Sequence, residues 1–345
     1  MYFTDWHTAQ NGTGMILITR GTITLLAAVL LLAPVPALAL DAQAIFERNE
    51  YALYQIRVIN RETGKKSSIG SGFIFNQPNR LATNYHVVST FIEKPDRYQL
   101  RYLAANGTEG PLRLIAVDAV HDLALVEADE HLGAPLAVGD PPAKGAGLFA
   151  MGNPLDLGLT IAAGTNGGVL SQTDESRILF SGSLNPGMSG GPTFDDEGIV
   201  VGVNVSTARN DISFIVPTRY LGKLTVAAAP SPDSLLSDIG QQIRDYQIGY
   251  LDGIVAAPWP ATNLRQLQMP GAISSTIRCW DASTKPKPEL LYQRFTSSGN
   301  NEHAIYLTVK QEVGKIRCVY HWIVSPQLEP VRGWGRVQAL IASQC

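Results

Sequence analysis

The chain has 345 residues, 45% of them hydrophobic and 17% charged, with a formal net charge of −3. That length exceeds what one hydrophobic core usually serves and points to two folded units. The near-neutral balance, without runs of Lys or Arg, excludes the basic footprint of a nucleic-acid binder.

Taken in chain order, the first feature is a targeting signal. From Met15 the sequence runs MILITRGTITLLAAVLLLAPVPALAL, with Arg20, an apolar stretch from Gly21 to Ala33, Pro34 and Pro36, and then Ala37-Leu38-Ala39. Charge, apolar region and small-x-small site in that order predict a signal peptide over 1–39, cleaved after Ala39, with Met15 as a second possible start. The apolar stretch is shorter than the ~20 residues of a membrane span, which favours cleavage over an uncleaved anchor, and since no second stretch is apolar enough to span, no stable span is expected afterwards.

Asp41 to Glu50 is read as a short helix. Strand-like runs then recur between turn residues: 53–59, 69–75, 98–103, 112–117, 123–127, 147–151, 178–180, 199–205 and 213–216. Many short strands divided by Gly, Pro, Asn and Asp predict an all-β sandwich or pair of barrels. Thr218 is read as the N-cap of a helical segment, and Ala227 to Ser234, rich in Ala, Pro and Ser, as a linker. Beyond it Leu235, Leu236, Ile239, Ile243 and Tyr246 have helical spacing, and β-like runs return at 273–280, 290–295, 304–310 and 316–324. The predicted organisation is a unit over 40–226, a linker over 227–234 and a β-rich (α+β) unit over 235–345.

Three residue types along this β-rich stretch carry chemistry. Gly187-Met188-Ser189-Gly190-Gly191 has the G-x-S-x-G pattern of a nucleophile elbow. An elbow needs a helix directly after the serine, and Gly190-Gly191-Pro192 is a poor helix start. The histidines downstream, His303 and His321, lie beyond the linker. Upstream, His86 stands in Thr83-Asn84-Tyr85-His86-Val87-Val88 where a strand ends, and Asp122 opens the run Leu123 to Val126. A serine hydroxyl is a weak nucleophile that needs a base for its proton and a carboxylate to orient that base, and the order His86, Asp122, Ser189 supplies both. Asp118 and Asp129 are weaker candidates for the acid, and His121 is read as structural.

The blocks GSGFIF (70–75), TNYHVV (83–88), HDLALV (121–126), MGNPLDLGLTIAAG (151–164), NPGMSGGP (185–192) and VVGVNVS (200–206) together resemble the chymotrypsin-fold serine peptidases, and among them the HtrA/DegP-type envelope proteases. The resemblance implies a mainly β fold with a double β-barrel and a serine endopeptidase using His86, Asp122 and Ser189. It also implies an oxyanion hole from the backbone of Gly187 and Ser189, with Met188 toward the leaving-group side. Ser183, six positions before the serine, would sit at the base of a neutral primary pocket walled by Phe180 and Phe214. Val203, Asn204 and Val205 would form an edge strand that pairs with substrate backbone. Residues from Leu235 onward depart from the PDZ domains usual in that family.

The expected partners are protein or peptide substrates, such as unfolded envelope proteins, in the periplasm or outside the cell; oligomeric state is left open. No metal or cofactor is expected. For an exported chain a disulfide becomes possible among Cys279, Cys318 and Cys345. Cys279 with Cys318 is favoured, because both sit in strand-like runs and Cys345 is the last residue. The alternative reading is a catalytically silent pseudoprotease or peptide-binding module of the envelope.

Overall fold

In the computed structural model, which describes residues 41–169, 177–205, 213–224, 231–264, 267–270, 274, 277–281, 293–301, 305–308, 311–313 and 317–324, the middle of the chain closes into two six-stranded barrels. The proposed signal over 1–39 and the last cysteine, Cys345, lie outside the described residues.

A short helix, α1 (Ala42–Asn49), precedes the first barrel; Asp41 caps it by accepting from the Ala44 N–H at 2.8 Å. The first barrel is built from β1 (Leu53–Asn60), β2 (Lys66–Ile74), β3 (Arg80–Thr83), β4 (Tyr98–Ala104), β5 (Glu109–Asp118) and β6 (Leu123–Glu127), ordered β1-β2-β3-β6-β5-β4 and closed by β4 against β1. The second contains β7 (Gly147–Gly152), β8 (Thr160–Val169), β9 (Ile178–Phe180), β10 (Pro192–Phe194), β11 (Val200–Val205) and β12 (Ser213–Pro217), ordered β10-β11-β12-β9-β8-β7. Closure pairs every strand on both sides and removes the exposed edges that would invite aggregation.

Each barrel is filled by side chains. Ile56, Phe73, Leu81 and Leu123 are fully buried in the first, and Leu148, Val201 and Ile215 in the second. Met151, Phe194, Val200, Val203 and Val216 belong to second-barrel strands yet are continuous with the first-barrel core. Burial of this seam sets the two barrels against each other, with the candidate residues His86 and Asp122 among first-barrel elements and Ser189 just before β10 of the second.

Two local expectations change. Between β3 and β4 the chain forms a helix, α2 (Tyr85–Glu93), so His86 lies on a first helical turn rather than at a strand end. The residues from Thr218 make only a 3₁₀ segment, Thr218–Lys223, with Pro217 in the capping position. The Thr218 hydroxyl donates instead to the Gly139 carbonyl at 2.6 Å.

The helix foreseen after the linker is α3 (Pro232–Ala256), which begins inside the 227–234 stretch and is capped by Ser231 through a bond from the Ser234 N–H at 3.1 Å. Leu235, Ile239 and Ile243 on one face are buried in the first-barrel core cluster, whereas Leu236 is exposed. Gln242 ties this helix to β5 and the turn after it, donating to Val117 O and accepting from Ala119 N, both at 3.0 Å.

The remaining strands are β13 (Ala261–Leu264), β14 (Leu267–Pro270), β15 (Ile277–Asp281), β16 (Gln293–Asn301), β17 (Ile305–Thr308), β18 (Gln311–Val313) and β19 (Arg317–Val324). They form the pairs β13-β14 and β17-β18 and the sheet β15-β16-β19. The expected Cys279–Cys318 disulfide is contradicted by the register of that sheet. Both cysteines stand opposite Gly299 of the central strand, one on each flanking strand. Two strand spacings separate their Cα atoms by about 10 Å, beyond the ~4.4–6.8 Å a disulfide spans.

Candidate active site

His86 and Asp122 come from opposite ends of the same corner of the first barrel. Asp122 stands just before β6 with a left-handed backbone, φ +59°. From there one carboxylate oxygen meets His86 Nδ1 at 2.7 Å and the other accepts from the His86 backbone N–H at 2.9 Å. The Asn84 side chain donates to the Asp122 carbonyl at 2.8 Å and holds the turn from the other side. A carboxylate on Nδ1 favours the tautomer that carries its proton there and leaves Nε2 as a proton acceptor. Burial, and then the nearby Asp122 carboxylate, push the Tyr85 hydroxyl up to about 12, so it stays neutral beside this pair.

Asp118, weighed as an alternative acid, is engaged elsewhere. It accepts from the His121 backbone N–H at 2.9 Å and meets His121 Nδ1 at 2.6 Å. His121 also stacks on Tyr220 with ring centroids 3.9 Å apart, in keeping with a structural part.

Ser189 lies on the loop leading into β10, and the sequence around it explains its shape. Asn185-Pro186-Gly187-Met188 closes with a bond from Met188 N–H to Asn185 O at 3.0 Å, and Gly187 has φ +98°. Proline in the second position and a positive-φ glycine in the third are the marks of a type II turn. The Pro186 carbonyl accepts from Leu155 N–H at 2.9 Å. No described peptide bond is cis, so the N–H of Gly187 points to the opposite side of that peptide plane. Ser183 is exposed upstream of the turn.

The loop is seated against the first barrel where β3 stops short of β2. Ser71 of β2 donates its N–H to Ser189 O at 2.7 Å and its hydroxyl to Gly187 O at 2.8 Å, and the same hydroxyl accepts from Asn153 N–H at 2.9 Å. The Thr83 hydroxyl at the end of β3 donates to Ser71 O at 2.7 Å. Gly190 is required here: with φ +86°, a Cβ on it would stand 2.2 Å from Ser71 O and 2.3 Å from the Thr83 hydroxyl. A Cβ on Gly70 would lie 2.5 Å from Val87 and 3.1 Å from Ser189 O. The Ser189 carbonyl and the side chain of Val87, the residue after His86, therefore meet the same point on β2, which brings the serine loop beside the His86 helix.

Several sequence expectations change in the structure. Met188 is 2% exposed and packs into the second-barrel core with Leu148 and Phe180, rather than toward a leaving group. Phe180 is likewise core, its ring so close to Gly164 and Gly182 that a Cβ on either would clash; Phe214 is only partly buried. Val203, Asn204 and Val205 do not form an edge strand. Val203 and Val205 stand opposite Val216 and Phe214 of β12, and Asn204 spends its N–H on Gly191 O at 2.8 Å and its carbonyl on Gly190 N–H at 3.0 Å. Its side-chain amide also donates to Met151 O at 2.9 Å. Barrel closure consumes the backbone that an extended peptide would need.

Ser71, Asn153 and Leu155, which fix the serine loop, escaped the sequence reading. Their partners are remote in sequence, and a serine in a strand or a leucine in a loop carries no local signal. Among the described residues there is no group of three or more His, Cys, Asp or Glu able to hold a metal, and no helix is long and apolar enough to cross a membrane.

Comparison with known proteins matches residues 70–203 to the trypsin-like peptidase domain. The chain is similar to "Serine protease Do-like HtrA" of Bacillus subtilis, 31% identical over 202 residues, which cover 52% of this chain and 42% of that protein. It is similar to "Probable periplasmic serine endoprotease DegP-like" of Marinomonas sp., 30% identical over 174 residues, covering 46% and 35%. "Protease Do-like 1, chloroplastic" of Arabidopsis thaliana is 27% identical over 170 residues, covering 44% and 37%. The chain thus spans between 35% and 42% of the length of these relatives. Among solved structures, Deg5 aligns at 22% identity with a TM-score of 0.46, covering 52% of this chain and 89% of that one.

Proposed function

We propose that this chain, which carries a trypsin-like peptidase domain of the HtrA type, is an exported serine endopeptidase that cleaves protein substrates through an acyl-enzyme. The observation that carries the reading is the two-point grip of Asp122 on His86 beside the Asn185–Met188 turn.

Ser189 Oγ attacks the scissile carbonyl carbon as its proton passes to His86 Nε2, and Asp122 stabilises the imidazolium that forms. The carbonyl oxygen takes the negative charge and accepts from the N–H groups of Gly187 and Ser189. Collapse of the tetrahedral intermediate breaks the C–N bond, and the imidazolium returns its proton to the departing amine. Water, deprotonated by the same imidazole, then attacks the acyl-enzyme and releases the acid with Ser189 restored. A neutral Ser183 offers no charge to select Lys or Arg. We assign residues 40–226 to the peptidase unit and place the mature protein in the periplasm or outside the cell, where misfolded proteins would be its substrates.

The test is labelling of the mature protein with a fluorophosphonate, with the adduct mapped by mass spectrometry, alongside cleavage of casein. The adduct is expected on Ser189, and both labelling and cleavage vanish in Ser189→Ala. An unlabelled serine with no cleavage, in the presence of unfolded protein as well as without it, rejects the proposal.

A further inference from the structure

The loop between β7 and β8 contains two successive residues that L-amino acids seldom place in left-handed backbone: Leu155 at φ +51°, ψ +24° and Asp156 at φ +63°. Such a conformation persists only where its surroundings enforce it. Apolar burial does not enforce it here, because the side chains flanking Asp156 face outward, Leu155 at 58% exposure and Leu157 at 79%.

A backbone bond from Leu157 N–H to Pro154 O at 2.9 Å closes the turn locally, and the Asp156 carboxylate fixes it to its surroundings. That carboxylate accepts from Gln55 Nε2 at 2.9 Å, pairs with Lys66 Nζ and lies 3.7 Å from the Arg57 guanidinium. Gln55 and Arg57 are on β1 and Lys66 begins β2, so one side chain pins a second-barrel loop to the first-barrel hairpin. Arg57 is itself held, by the Gln55 side-chain oxygen and by Glu109 at 3.6 Å. The bond from Lys66, followed by that from Gln55, draws the Asp156 carboxyl below the usual carboxylate range, so it is charged wherever the protein would work.

The residue joined to this anchor touches the site. Leu155 N–H donates to Pro186 O, and that carbonyl belongs to the same peptide plane as the Gly187 N–H. A flip of the plane would break the Leu155 bond and turn the Gly187 donor away from the side it faces now. Asn153 is secured through Ser71 and Pro154 by burial, and Leu157 N–H closes the turn on Pro154 O; Asp156 is the side chain of this turn that ties it to the first barrel.

Resting on the endopeptidase reading above, we propose that Asp156 is a positioning residue for the oxyanion-binding peptide: anchored to Gln55, Arg57 and Lys66 of the first barrel, it holds the Leu155 N–H against the Pro186 carbonyl and so keeps the Gly187 N–H aimed at the substrate oxygen. The turn is then set within one chain by contact between its two barrels.

The test compares the full-length parent with Asp156→Gly, Asp156→Asn and Lys66→Ala. Glycine keeps the left-handed backbone without strain and removes the anchor, which separates anchoring from conformational preference. Loss of a whole oxyanion donor costs on the order of 10²–10³ in rate, and a partly populated turn should cost less. Asp156→Gly is therefore expected to lower kcat and the fluorophosphonate labelling rate about tenfold with KM changed less than about twofold. Asp156→Asn, which retains an acceptor for Gln55, should fall between. Lys66→Ala should lower kcat in the same direction, and adding it to Asp156→Gly should have little further effect, because both remove one interaction. Added salt should slow the parent toward Asp156→Asn and leave Asp156→Gly unchanged.

Hydrogen–deuterium exchange over 184–192, measured in a Ser189→Ala background, reads the turn without any turnover and should rise in Asp156→Gly. If exchange and kcat in Asp156→Gly equal those of the parent, the proposal is wrong. A uniform loss of melting temperature with KM rising alongside would also overturn it. An unlabelled parent would reject the endopeptidase reading alone, and the exchange measurement would still decide whether Asp156 holds the turn.

Discussion

Replacing Ser71 by Ala removes one buried oxygen and should damage both stability and turnover. Ser71 is fully buried, and its hydroxyl bridges Gly187 O at 2.8 Å and Asn153 N–H at 2.9 Å. Alanine leaves the N–H to Ser189 O and the carbonyl to the Thr83 hydroxyl in place, so the lost interactions are those two alone. Each buried group left without a partner costs about 1–3 kcal/mol, which sums to about 2–6 kcal/mol if the loop cannot shift. Where the loop does shift, the stability loss shrinks and the cost moves into a displaced turn. Every ~1.4 kcal/mol spent on restoring that turn is then a tenfold loss of rate, bounded by the 10²–10³ expected for losing an oxyanion donor. Urea denaturation measures the first quantity and single-turnover labelling of Ser189 the second, and the two together should account for at least about 2 kcal/mol. A Ser71→Ala protein with the parent's denaturation midpoint and a labelling rate within about twofold would show that the bridge does not fix the turn.

Asp122→Asn should leave the fold intact and lower kcat near neutral pH by about 10⁴, because the amide presents a donor to Nδ1 and favours the wrong tautomer; steady-state kinetics and a circular dichroism spectrum check both halves. Gly190→Ala places a Cβ 2.2 Å from Ser71 O at φ +86° and should cost at least about 2 kcal/mol with loss of Ser189 labelling, read by thermal denaturation and mass spectrometry. Peptide mapping without reduction should find Cys279 and Cys318 in separate peptides, since Gly299 stands between them in the sheet; a cross-linked pair would refute the register. Asp156 adds a pH dependence with a definite sign. Its carboxyl is lowered in the folded protein, so the stability it contributes is full above the ordinary carboxylate range and fades as pH falls through the lowered value. The difference in denaturation midpoint between the parent and Asp156→Asn should therefore close in acid.

The residues proposed for the chemistry were legible as candidates because each sits in a short local pattern. Asn185-Pro186-Gly187 forms its turn from proline's fixed φ and glycine's freedom, and Asp122 opens a strand-like run as the sequence implies. Alternating apolar residues announced the strands, and the spacing of Leu235, Ile239 and Ile243 announced α3. The nine-residue α2 was not announced, since Val87, Val88 and Thr90 favour strands and tertiary packing overrides a weak propensity.

What no local pattern carried is which backbone remains free once the barrels close. Val203 to Val205 read as an edge strand because an apolar run is the same whether its neighbours are bound on one side or both; closure decided that both sides are taken. The favoured disulfide failed for a related reason, because strand order, and not sequence, placed β16 between the two cysteines. Sequence by itself nominated the residues proposed for the chemistry and determined the β-rich class, through spacing and composition that act over a few residues. Tertiary structure alone decided what aims them, since Ser71 reaches Gly187 across 116 residues and Lys66 reaches Asp156 across 90, contacts that exist only after two barrels have folded and met.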